Sequence, residues 1–414
     1  MIEQCAILLG GLGTRLGALT QEMPKPLLRV GGEPFVDVLV GEAVRRGFRD
    51  ILLLAGYKAG VVEAYVEGLA GRLPADCSVS VSIEPEPLGT GGALRWAGDL
   101  LADRFLLLNG DTWFDFNWLD LALVAGDEAA VAVRKVPVAD RYESLRLGPA
   151  GQVEAIVERG GAEGAVLING GVYCLRKSDL AGFPERFSIE SDLLPQLTEF
   201  SLLKARAYDG FFLDIGIPEA FAAAQIDVPA QRTRPAVFFD RDGVLNQDDN
   251  YVGSADRFHW IPGAQQAVKL ANDLGYYVFV VTNQAGVARG FYGEDDVRAL
   301  HNWIAQELRQ SGAAIDDWRY CPFHPDGTVD AYRGSHPWRK PAPGMLLDLI
   351  DNWPVRRNGS ILFGDQQSDL DAAAAAGIEA VRFEGGNLHD CVERYLAPQF
   401  PTAPSVALPG KTSI

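Results

Sequence analysis

The sequence predicts an α/β protein built from two three-layer domains. The chain has 414 residues, a length typical of two or three domains. Short apolar runs alternate with segments of helical periodicity in the first half, and the same alternation begins again after residue 235. A polar stretch bounded by prolines, 229–235, separates the two patterns. We therefore predict domains at 1–228 and 236–397, a linker at 229–235 and a tail without periodicity at 398–414.

Composition excludes several classes of function. The net charge is −18 and the isoelectric point is about 4.7, whereas nucleic-acid-binding proteins are usually basic. Five cysteines, an odd number scattered along the chain, favour a reducing compartment over a disulfide framework. The N-terminus has no secretory signal pattern, and no apolar run approaches the ~18 residues of a membrane span. We expect a cytoplasmic protein with neither nucleic acid nor membrane as a partner, and the oligomeric state stays open.

The elements predicted for the first domain alternate between strand and helix. A buried strand at 6–9 is followed by a glycine-rich loop, and the helix at 36–46 ends before Gly47, a typical helix C-cap. Further strands are predicted at 50–55, 79–84, 105–109, 129–135 and 153–158, and further helices at 59–69 and 93–101. Such alternation indicates a mainly parallel sheet covered on both faces, whose ligands bind at the carboxyl ends of strands.

The loop after the first strand has the composition of a phosphate-binding site. Gly10, Gly11 and Gly13 allow positive φ and a close approach of the backbone to a ligand. Arg15 adds a fork of donors, and Lys25 is held between two prolines. Together these groups suit a polyphosphate. For the glycines alone, a simple turn between a strand and a helix is the alternative.

The spacing of these glycines is that of neither a P-loop nor a dinucleotide-binding motif. The segments GGLGTRL and MPKPLL together resemble the sugar-phosphate nucleotidyltransferases. The resemblance implies a Rossmann-like domain with a GT-A-like mixed sheet, in which Arg15 and Lys25 act in catalysis on the nucleoside triphosphate and the sugar phosphate. It assigns nucleotide binding to Leu9, Gly10, Gly11, Gly13, Thr14, Arg15, Lys25, Glu84, Gly89, Thr90, Gly110 and Asp111. It assigns sugar contacts to Glu158, Asn169 and Gly170.

Two aspartates at strand ends are the candidate metal ligands of this domain. Asp111 follows the strand at 105–109, and Asp214 ends the strand-like run 211–214. A carboxylate beside a phosphate site suits Mg²⁺, whereas an aspartate that caps a turn is the alternative for Asp111 alone. The family resemblance implies that the two carboxylates share one Mg²⁺. The segment 188–192 has the pattern of a helix N-terminus and is interpreted as structural.

The second domain opens with a strand at 236–240 that leads into Asp240-Arg241-Asp242. In extended backbone, two aspartates at this spacing point to the same side and repel each other unless a cation joins them. This arrangement suits one aspartate as a nucleophile and the other as a general acid and base around Mg²⁺. A surface loop or an incomplete calcium loop is the alternative for the D-x-D pattern alone.

Later motifs extend this interpretation. A strand at 277–281 leads into Thr282-Asn283-Gln284, Arg339-Lys340-Pro341 precedes a helix at 344–352, and a strand at 361–365 ends in Asp365. In order and context this set resembles the haloacid dehalogenase phosphatases, which implies a second Rossmann-like domain with a HAD-like parallel sheet. DRDGVLN, TNQAGVARG and RKPAPGM resemble the heptose-bisphosphate and histidinol-phosphate branch of that superfamily.

This second resemblance implies roles for individual residues. Asp240 forms the phospho-aspartate, Asp242 protonates the leaving oxygen, and Thr282 and Lys340 steady the phosphoryl group. The implied Mg²⁺ ligands are Asp240, Asp242 and Asp365. Positions that match substrate contacts in the family are Asp248, Asp249, Asn250, Tyr251, Asn283, Gln284, Ala285, Arg339, Lys340 and Gln366. A plain loop residue is the alternative for any one of them.

One loop departs from the family pattern. Many members carry C-x-H and C-x-C zinc ligands before the R-K-P motif. Here Cys321 remains, but Phe323, His336 and Trp338 occupy the other three positions. Phenylalanine and tryptophan have no atom that ligates zinc. We predict a loop held by aromatic packing without zinc, with a rearranged site of Cys321, His324 and His336 as the alternative.

Together, the two resemblances imply consecutive reactions on a sugar phosphate, with Mg²⁺ in both domains. GGLGTRL, MPKPLL, EPEPLGTGGAL and LLLNGD are similar to the heptose-1-phosphate guanylyltransferases. The expected activities are removal of the 7-phosphate from D-glycero-α-D-manno-heptose 1,7-bisphosphate, and transfer of GMP from GTP to the 1-phosphate to give GDP-heptose and pyrophosphate. The alternatives are another sugar phosphate or nucleoside triphosphate, a histidinol-phosphate-type phosphatase, or one domain that only senses nucleotide sugars.

Overall fold

The computed structural model describes residues 2–11, 13–137, 143–157 and 165–396. By its internal contacts the chain divides into two units, the first running to Ala230 and the second beginning at Gln231. The predicted sugar contact Glu158 and the predicted tail 398–414 lie outside the described residues. Among the helices that are described, none is long and apolar enough to cross a membrane.

The first unit begins with alternating strands and helices and becomes richer in strands toward its middle. Its strands are β1 (Gln4–Leu8), β2 (Arg29–Val30), β3 (Glu33–Pro34), β4 (Asp50–Ala55), β5 (Ser78–Ile83), β6 (Arg104–Asn109), β7 (Thr112–Phe114), β8 (Ala129–Val136), β9 (Ser144–Leu147), β10 (Val153–Val157), β11 (Val166–Arg176), β12 (Leu203–Ala207) and β13 (Phe212–Asp214). Its helices are α1 (Phe35–Arg45), α2 (Ala59–Ala70), α3 (Gly89–Ala97), α4 (Trp118–Ala125), α5 (Leu194–Glu199) and α6 (Pro218–Arg232).

A mixed sheet forms the centre of this unit. In its described part the sheet has nine strands, and β5, β4, β1 and β6 lie side by side in parallel. β11 runs antiparallel to β6 and also pairs with β8 and β9, so the sheet changes from parallel to mixed at this point. All five residues of β1 are buried, as expected for a strand covered on both faces. The predicted mixed sheet is confirmed.

The second unit is built on a smaller sheet. Its strands are β14 (Ala236–Phe239), β15 (Tyr277–Asn283), β16 (Asp317–Cys321), β17 (Ile361–Gly364) and β18 (Glu379–Arg382). Its helices are α7 (Ala264–Asp273), α8 (Ala285–Ala288), α9 (Glu294–Gln310), α10 (Gly344–Asn352), α11 (Gln367–Ala376) and α12 (Leu388–Glu393). In the described part the strands are all parallel, in the order β16-β15-β14-β17-β18.

Alternate residues of β14 point to the two faces of this parallel sheet. Val237 and Phe239 join a core formed with residues of α7, α9 and α12, whereas Ala236 and Phe238 join a core formed with α10 and α11. A strand buried on both sides in this way lies in the middle layer of three. The predicted three-layer domain with a parallel sheet is confirmed.

α3 begins at Gly89, four residues before the predicted start, and ends at Ala97. The first N–H groups of a helix have no acceptor within the helix and need one outside it. Here the N–H groups of Gly91 and Gly92 both donate to the carbonyl oxygen of Phe187, at 3.1 and 3.2 Å. A distant segment therefore stabilises a helical turn that local sequence patterns do not predict.

The chain is helical through part of the predicted linker 229–235. α6 continues to Arg232 with Pro229 inside it. The helix is anchored to the turn between β2 and β3, because Gln225 Nε2 donates to Arg29 O at 3.0 Å and its Oε1 accepts from Gly31 N at 3.2 Å. This anchoring extends the helix past a proline that normally marks a helix boundary.

The stability of the second unit should depend on pH through His301, a buried residue of α9 that stacks on Trp318. Burial, together with the positive charge of Arg241, holds the pKa of this imidazole well below its usual value of 6.5. The unfolded state therefore binds the proton more readily, so this contribution to stability is present above pH 6.5 and is lost as the pH falls below it. We expect the free energy of unfolding to fall by up to ~1.4 kcal/mol per pH unit.

The substitution His301→Phe keeps a stacked ring that does not titrate. Urea unfolding at pH 7.5 and pH 5.5 should show a smaller decrease in stability for this variant than for the unmodified protein. The same decrease in both proteins would contradict the assignment to His301.

Candidate active sites

The glycine loop of the first unit follows β1, and two of its positions need glycine. Gly11 and Gly13 have φ of 116° and 59°, in the region that other residues rarely adopt. Leu9 is buried and its N–H donates to Leu54 O at 2.8 Å, so this group belongs to the sheet. Arg15 is exposed and forms no hydrogen bond or ion pair with the residues that the structure describes. Its guanidinium is available to phosphate oxygens beside the loop.

Lys25 and Asp111 form an ion pair next to this loop. Lys25 Nζ is 2.5 Å from Asp111 Oδ2, and the two side chains are 18% and 31% exposed. Asp111 is delivered by β6 through Gly110, whose N–H donates to Leu8 O at 3.0 Å. A Cβ at Gly110 would lie 2.1 Å from that oxygen, so the close approach of β6 to β1 requires glycine. The ion pair therefore lies at the carboxyl ends of two neighbouring parallel strands.

Asp214 reaches the same region through a small antiparallel ladder. β13 pairs with β7, and Ile215 N donates to Asp111 O at 3.0 Å. Asp214 Oδ1 accepts from Gly216 N at 2.7 Å. A Cβ at Gly216 would lie 2.7 Å from Asp214 Oδ1 and 3.5 Å from Lys25 Nζ. Asp214 therefore lies close to the ion pair of Lys25 and Asp111. The structure thus brings together both aspartates that were predicted as metal ligands.

In the second glycine segment, 89–92, the close approaches are made to the chain itself. A Cβ at Gly89 would lie 2.4 Å from Phe187 O, the oxygen that accepts from the start of α3. Thr90 Oγ1 donates to Glu190 Oε2 at 2.8 Å and accepts from Ile189 N at 2.8 Å. The glycines here are explained by close packing, of Gly89 and Gly91 against Phe187 and of Gly92 against Glu185 and Leu88. The predicted nucleotide contacts Gly89 and Thr90 are both engaged by segment 187–190.

Glu84, at the end of β5, turns toward the glycine loop. A Cβ at Gly56 would lie 2.5 Å from Glu84 Oε1, and one at Gly10 would lie 3.9 Å from it. The other oxygen accepts from Leu88 N at 3.1 Å. Burial raises the pKa of this carboxyl above its ordinary value, against the opposing effect of that hydrogen bond. Of the predicted contacts in segment 84–90, Glu84 is the one that lies beside the first loop.

Asn169 is positioned by an irregularity in β11. The register with β8 shifts between Asn169 and Tyr173, where Gly171 has φ 71°. Asn169 Nδ2 donates to the Tyr173 hydroxyl at 2.9 Å, and its Oδ1 accepts from Gly171 N at 3.0 Å. Gly170, a predicted sugar contact, packs against Phe114, where a Cβ would lie 2.6 Å from the ring.

Glu190 was not singled out in the sequence, and in the structure its Oε2 accepts from Thr90 Oγ1 at 2.8 Å. Burial raises the pKa of the Tyr173 phenol, and the negative charges of Glu190 and Asp111 raise it further. Glu190 is placed there by a π-helical turn, Ile189–Leu193, that begins after the N-cap Ser188. The pattern of residues 188–192 predicts a helix N-cap, and such a pattern does not show whether the capped segment also contributes to a binding site.

The second unit has a cavity of about 280 Å³. Its walls come from segments that follow strands β14, β15 and β17 and from the loop before α10, and they consist of Asp240, Asp242, Asp248, Asn250, Tyr251, Thr282, Asn283, Ala285, Tyr292, Lys340, Asp365, Gln366, Ser368 and Asp369. The carboxyl ends of parallel strands meet at one edge of a sheet, which is where ligands of such domains bind. Separate motifs of the sequence therefore converge on one cavity.

Three carboxylates of this cavity are close enough to share one cation. Ligand atoms of Asp240, Asp365 and Asp369 all lie within 4.8 Å of one another. Asp365 Oδ1 is buried without a hydrogen-bond donor in the described part of the chain. Gly243 lets the backbone pass close to this group, since its φ is 86° and a Cβ would lie 2.5 Å from Asp365 Oδ2. The sequence analysis did not predict Asp369 as a ligand.

Lys340 offsets part of this negative charge. Its Nζ is 2.8 Å from Asp240 Oδ1 and 2.7 Å from Asp369 Oδ1, and it donates to Val281 O at 2.8 Å. Burial raises the pKa of Asp240 to about 7, while Lys340 lowers it and Asp369 raises it. Three carboxylates and one ammonium leave two negative charges in a largely buried site. Such a site favours a divalent cation with oxygen ligands.

Asp242 is held by hydrogen bonds and does not belong to the group of three carboxylates. Its Oδ1 accepts from Asn246 Nδ2 at 2.9 Å, and its Oδ2 accepts from Gln284 Nε2 at 2.8 Å. The fully buried guanidinium of Arg241 pairs with Oδ2 at 2.9 Å. Each oxygen therefore has at least one donor, and the predicted role of Asp242 as a metal ligand stays a prediction.

Most of the predicted substrate contacts line the cavity. They are Asp248, Asn250, Tyr251, Asn283, Ala285, Lys340 and Gln366. The residues predicted as contacts that are absent from its walls are Asp249, Gln284 and Arg339. Gln284 is only 1% exposed, and Arg339 Nη1 donates to Phe323 O at 3.2 Å. Asn250 and Tyr251 have φ of 53° and 57°, an uncommon conformation that is often found at functional sites.

The loop that replaces the family's zinc site is packed by aromatic rings. Phe323 stacks on His336 with ring centroids 4.4 Å apart and an interplanar angle of 4°. Tyr332 meets Phe323 edge-on, and Trp338 does the same with His336. The predicted aromatic packing is therefore present. In the described chain, the group of three metal-ligating side chains is the acidic one, and it does not include Cys321, His324 or His336.

Comparison with known proteins separates the two halves of the chain. Residues 5–231 match the family model of nucleotidyl transferases. HddC from Yersinia pseudotuberculosis, solved in complex with GMP-PN, is 34% identical, and the match covers 55% of this chain and 100% of HddC with a TM-score of 0.49.

The relatives of the second half are phosphatases. The D-glycero-β-D-manno-heptose-1,7-bisphosphate 7-phosphatase of Rhodopseudomonas palustris is 54% identical over 163 residues, which are 39% of this chain and 91% of the relative. The corresponding α-heptose enzyme of Burkholderia mallei is 41% identical over 143 residues, or 34% of this chain and 76% of the relative. The chain therefore belongs to the nucleotidyl transferase family over its first half and to the heptose-bisphosphate 7-phosphatases over its second half, and it combines a nucleotidyltransferase with a phosphatase.

Proposed function

We propose that the two units catalyse consecutive reactions in the synthesis of a nucleotide-activated heptose. The second unit removes the 7-phosphate of D-glycero-α-D-manno-heptose 1,7-bisphosphate, and the first transfers GMP from GTP to the remaining 1-phosphate, releasing pyrophosphate. The observation that carries this proposal is the presence of two acid–lysine sites in one chain, Asp111 with Lys25 and Asp240 with Lys340. The product of the phosphatase is then the acceptor of the transferase.

In the phosphatase reaction, Asp240 attacks the phosphorus and the bond from phosphorus to the sugar oxygen breaks. Asp240 Oδ1 already accepts from Lys340 and from the Arg241 N–H at 2.7 Å, so we assign Oδ2 as the attacking oxygen. Asp242 gives its proton to the leaving sugar oxygen and then takes one from the water that hydrolyses the phospho-aspartate. Lys340 and the Thr282 hydroxyl stabilise the transferred group.

We infer that Mg²⁺ binds in both units. Asp240, Asp365 and Asp369 would hold it in the second unit, because all their donor atoms are carboxylate oxygens, and Asp365 Oδ1 is buried without a partner among the described residues. Asp111 and Asp214 would hold it in the first unit, and the pairing of Asp214 with Thr112, the residue after Asp111, supports this. When bound, Mg²⁺ neutralises charge on phosphate oxygens and aligns them for displacement.

In the transferase reaction, the oxygen of the sugar 1-phosphate attacks the α-phosphorus of the nucleoside triphosphate, and pyrophosphate leaves. No protein nucleophile is needed, so the residues act by holding two anions in line. Lys25 and Arg15 provide positive charge after the glycine loop, and an incoming phosphate can take the place of Asp111 at the Lys25 ammonium. Asn169, which is partly exposed and is held by the Tyr173 hydroxyl, offers its amide to the sugar.

GTP and the α anomer are the finer parts of the proposal. Both follow from the likeness of GGLGTRL, MPKPLL and EPEPLGTGGAL to the guanylyltransferases. The phosphatase relatives are named for different anomers of the substrate: the Rhodopseudomonas palustris enzyme for the β anomer and the Burkholderia mallei enzyme for the α anomer. Assays of the second unit therefore need both anomers.

The two activities should be separable by single substitutions. Asp240→Asn keeps the shape of the side chain but removes the nucleophile, so phosphate release should fall by about 10⁴-fold or more, whereas pyrophosphate release should stay within about twofold. Asp111→Ala should have the reverse effect, because it removes a proposed metal ligand of the first unit. Both activities are measured on the same preparation, with thermal unfolding as the control for folding. Loss of both activities in a folded variant would reject the two-site proposal.

The metal requirement of each unit should also change independently. Asp365→Asn replaces one of three carboxylates, so the Mg²⁺ concentration for half-maximal phosphate release should rise by at least ~10-fold. The matched variant Asp214→Asn should raise the requirement of nucleotidyl transfer and leave that of the phosphatase unchanged. If neither variant shifts its metal titration, these aspartates are not the ligands.

A substrate panel tests the specificity. With α-heptose 1-phosphate, GTP should exceed UTP, dTTP, CTP and ATP by at least ~10-fold in kcat/KM, equivalent to ~1.4 kcal/mol. Phosphate release is compared for the two heptose 1,7-bisphosphate anomers and histidinol phosphate, and the α anomer should be best. Equal or better use of another nucleotide would overturn the guanine assignment, and preference for histidinol phosphate would overturn the sugar assignment.

A further inference from the structure

We propose that Gln284 is a positioning residue of the phosphatase, whose side-chain amide holds both Asp242 and Thr282 in the orientations that the reaction needs. Gln284 is 1% exposed and is not part of the cavity wall, although its sequence motif matches a substrate contact. The inference rests on the phosphatase activity of the second unit and is independent of which sugar phosphate is hydrolysed.

The neighbours of Gln284 fix the orientation of its amide. Arg241 Nη2, which can only donate, is 2.9 Å from Gln284 Oε1, and the Tyr292 hydroxyl donates to the same oxygen at 2.8 Å. Arg241 is itself fully buried and donates to Val252 O at 2.6 Å, so it cannot turn away. The amide oxygen must therefore face Arg241 and Tyr292, and the NH₂ group must face the opposite side.

The two N–H groups of Gln284 are used by two different catalytic side chains. They donate to Asp242 Oδ2 at 2.8 Å and to Thr282 Oγ1 at 2.7 Å. A threonine hydroxyl has a single hydrogen. Because the oxygen of Thr282 accepts from Gln284, that hydrogen is left to donate to a phosphoryl oxygen in the cavity.

The hydrogen bond from Gln284 to Asp242 fixes the orientation of the Asp242 carboxylate. Gln284 and Arg241 hold Oδ2 while Asn246 holds Oδ1, so the plane of the group cannot rotate without breaking hydrogen bonds. In the first step Asp240 bonds to phosphorus, the phosphorus–oxygen bond to the sugar breaks, and the proton of Asp242 passes to the leaving oxygen. Such a transfer needs hydrogen-bond reach, and a displacement of ~1 Å can cost about 10²-fold in rate.

The test is the dependence of the rate on the leaving group. The substitution Gln284→Met keeps the length of the side chain but removes the amide, so the hydrogen bonds to Asp242 and Thr282 are lost. A sugar bisphosphate hydrolysed by the unmodified enzyme has a leaving oxygen that needs a proton, whereas p-nitrophenyl phosphate has one that leaves without it. We compare kcat/KM, which reports the steps through formation of the phospho-aspartate. We expect a loss of ~100-fold with the sugar phosphate and of ~10-fold or less with p-nitrophenyl phosphate.

Two further variants keep the test decisive. Gln265→Met, on α7, removes an amide that accepts from the Ser311 hydroxyl at 3.0 Å, and it should leave both rates unchanged. Tyr292→Phe removes one of the two donors to Gln284 Oε1, so it should give a smaller loss that again falls mainly on the sugar phosphate. Equal losses on both substrates, or no loss, would overturn the proposal. If Gln284→Met does not fold, the proposal is judged on Tyr292→Phe alone: a loss mainly on the sugar phosphate supports it, and equal losses or no loss overturn it.

Discussion

The structure depends on placing carboxylates at the ends of buried strands without leaving their charge uncompensated. An unpaired buried carboxylate costs several kcal/mol, and the second unit offsets this cost with a lysine carried by a distant loop. In the first unit a lysine from a distant loop likewise pairs with an aspartate, although that pair is partly exposed. Lys25 pairs with Asp111 after β6, and Lys340 pairs with Asp240 after β14. In both cases the acid and the lysine are far apart in sequence, so the ion pair also holds together the segments that form the site.

The two sites differ in how completely the charge is compensated. In the first unit Lys25 and Asp111 are partly exposed, so water and an incoming phosphate can reach both. In the second unit the Lys340 side chain is only 2% exposed and pairs with two carboxylates, while a third, Asp365, has an oxygen for which the described part of the chain supplies no donor. A largely buried site with excess negative charge suits a nucleophilic carboxylate that works with a cation, whereas a partly exposed ion pair suits a site that receives two large anionic substrates.

Features set by local sequence could be predicted, and features set by distant contacts could not. The strand Asp50–Ala55 and the helix Gly344–Asn352 occur within the predicted bounds, because apolar spacing and end signals determine them. α3 starts earlier than predicted because its first N–H groups depend on Phe187, a residue far along the chain. Asp369 is a different case, because it is close to Asp365 in sequence and in the first turn of α11, where its Oδ2 accepts from Gln366 N at 3.0 Å; a capping aspartate and a metal ligand look alike in the sequence. The motif around Gln284 predicted proximity to the site but could not distinguish a substrate contact from a residue beneath the cavity.

The loop between β16 and α10 illustrates how packing can replace a chemical restraint. Phe323 and Trp338 have no metal-ligating atom, yet Phe323 stacks flat on His336, and this pair joins the two ends of the loop. Phe323 O also accepts from Arg339 Nη1 at 3.2 Å, and burial lowers the pKa of that guanidinium. Lys340 follows directly, and its N–H donates to Asn283 Oδ1 at 3.1 Å. The aromatic pair is therefore connected to the site through a chain of contacts. His336 holds Phe323, the carbonyl oxygen of Phe323 holds Arg339, and the next residue, Lys340, pairs with Asp240.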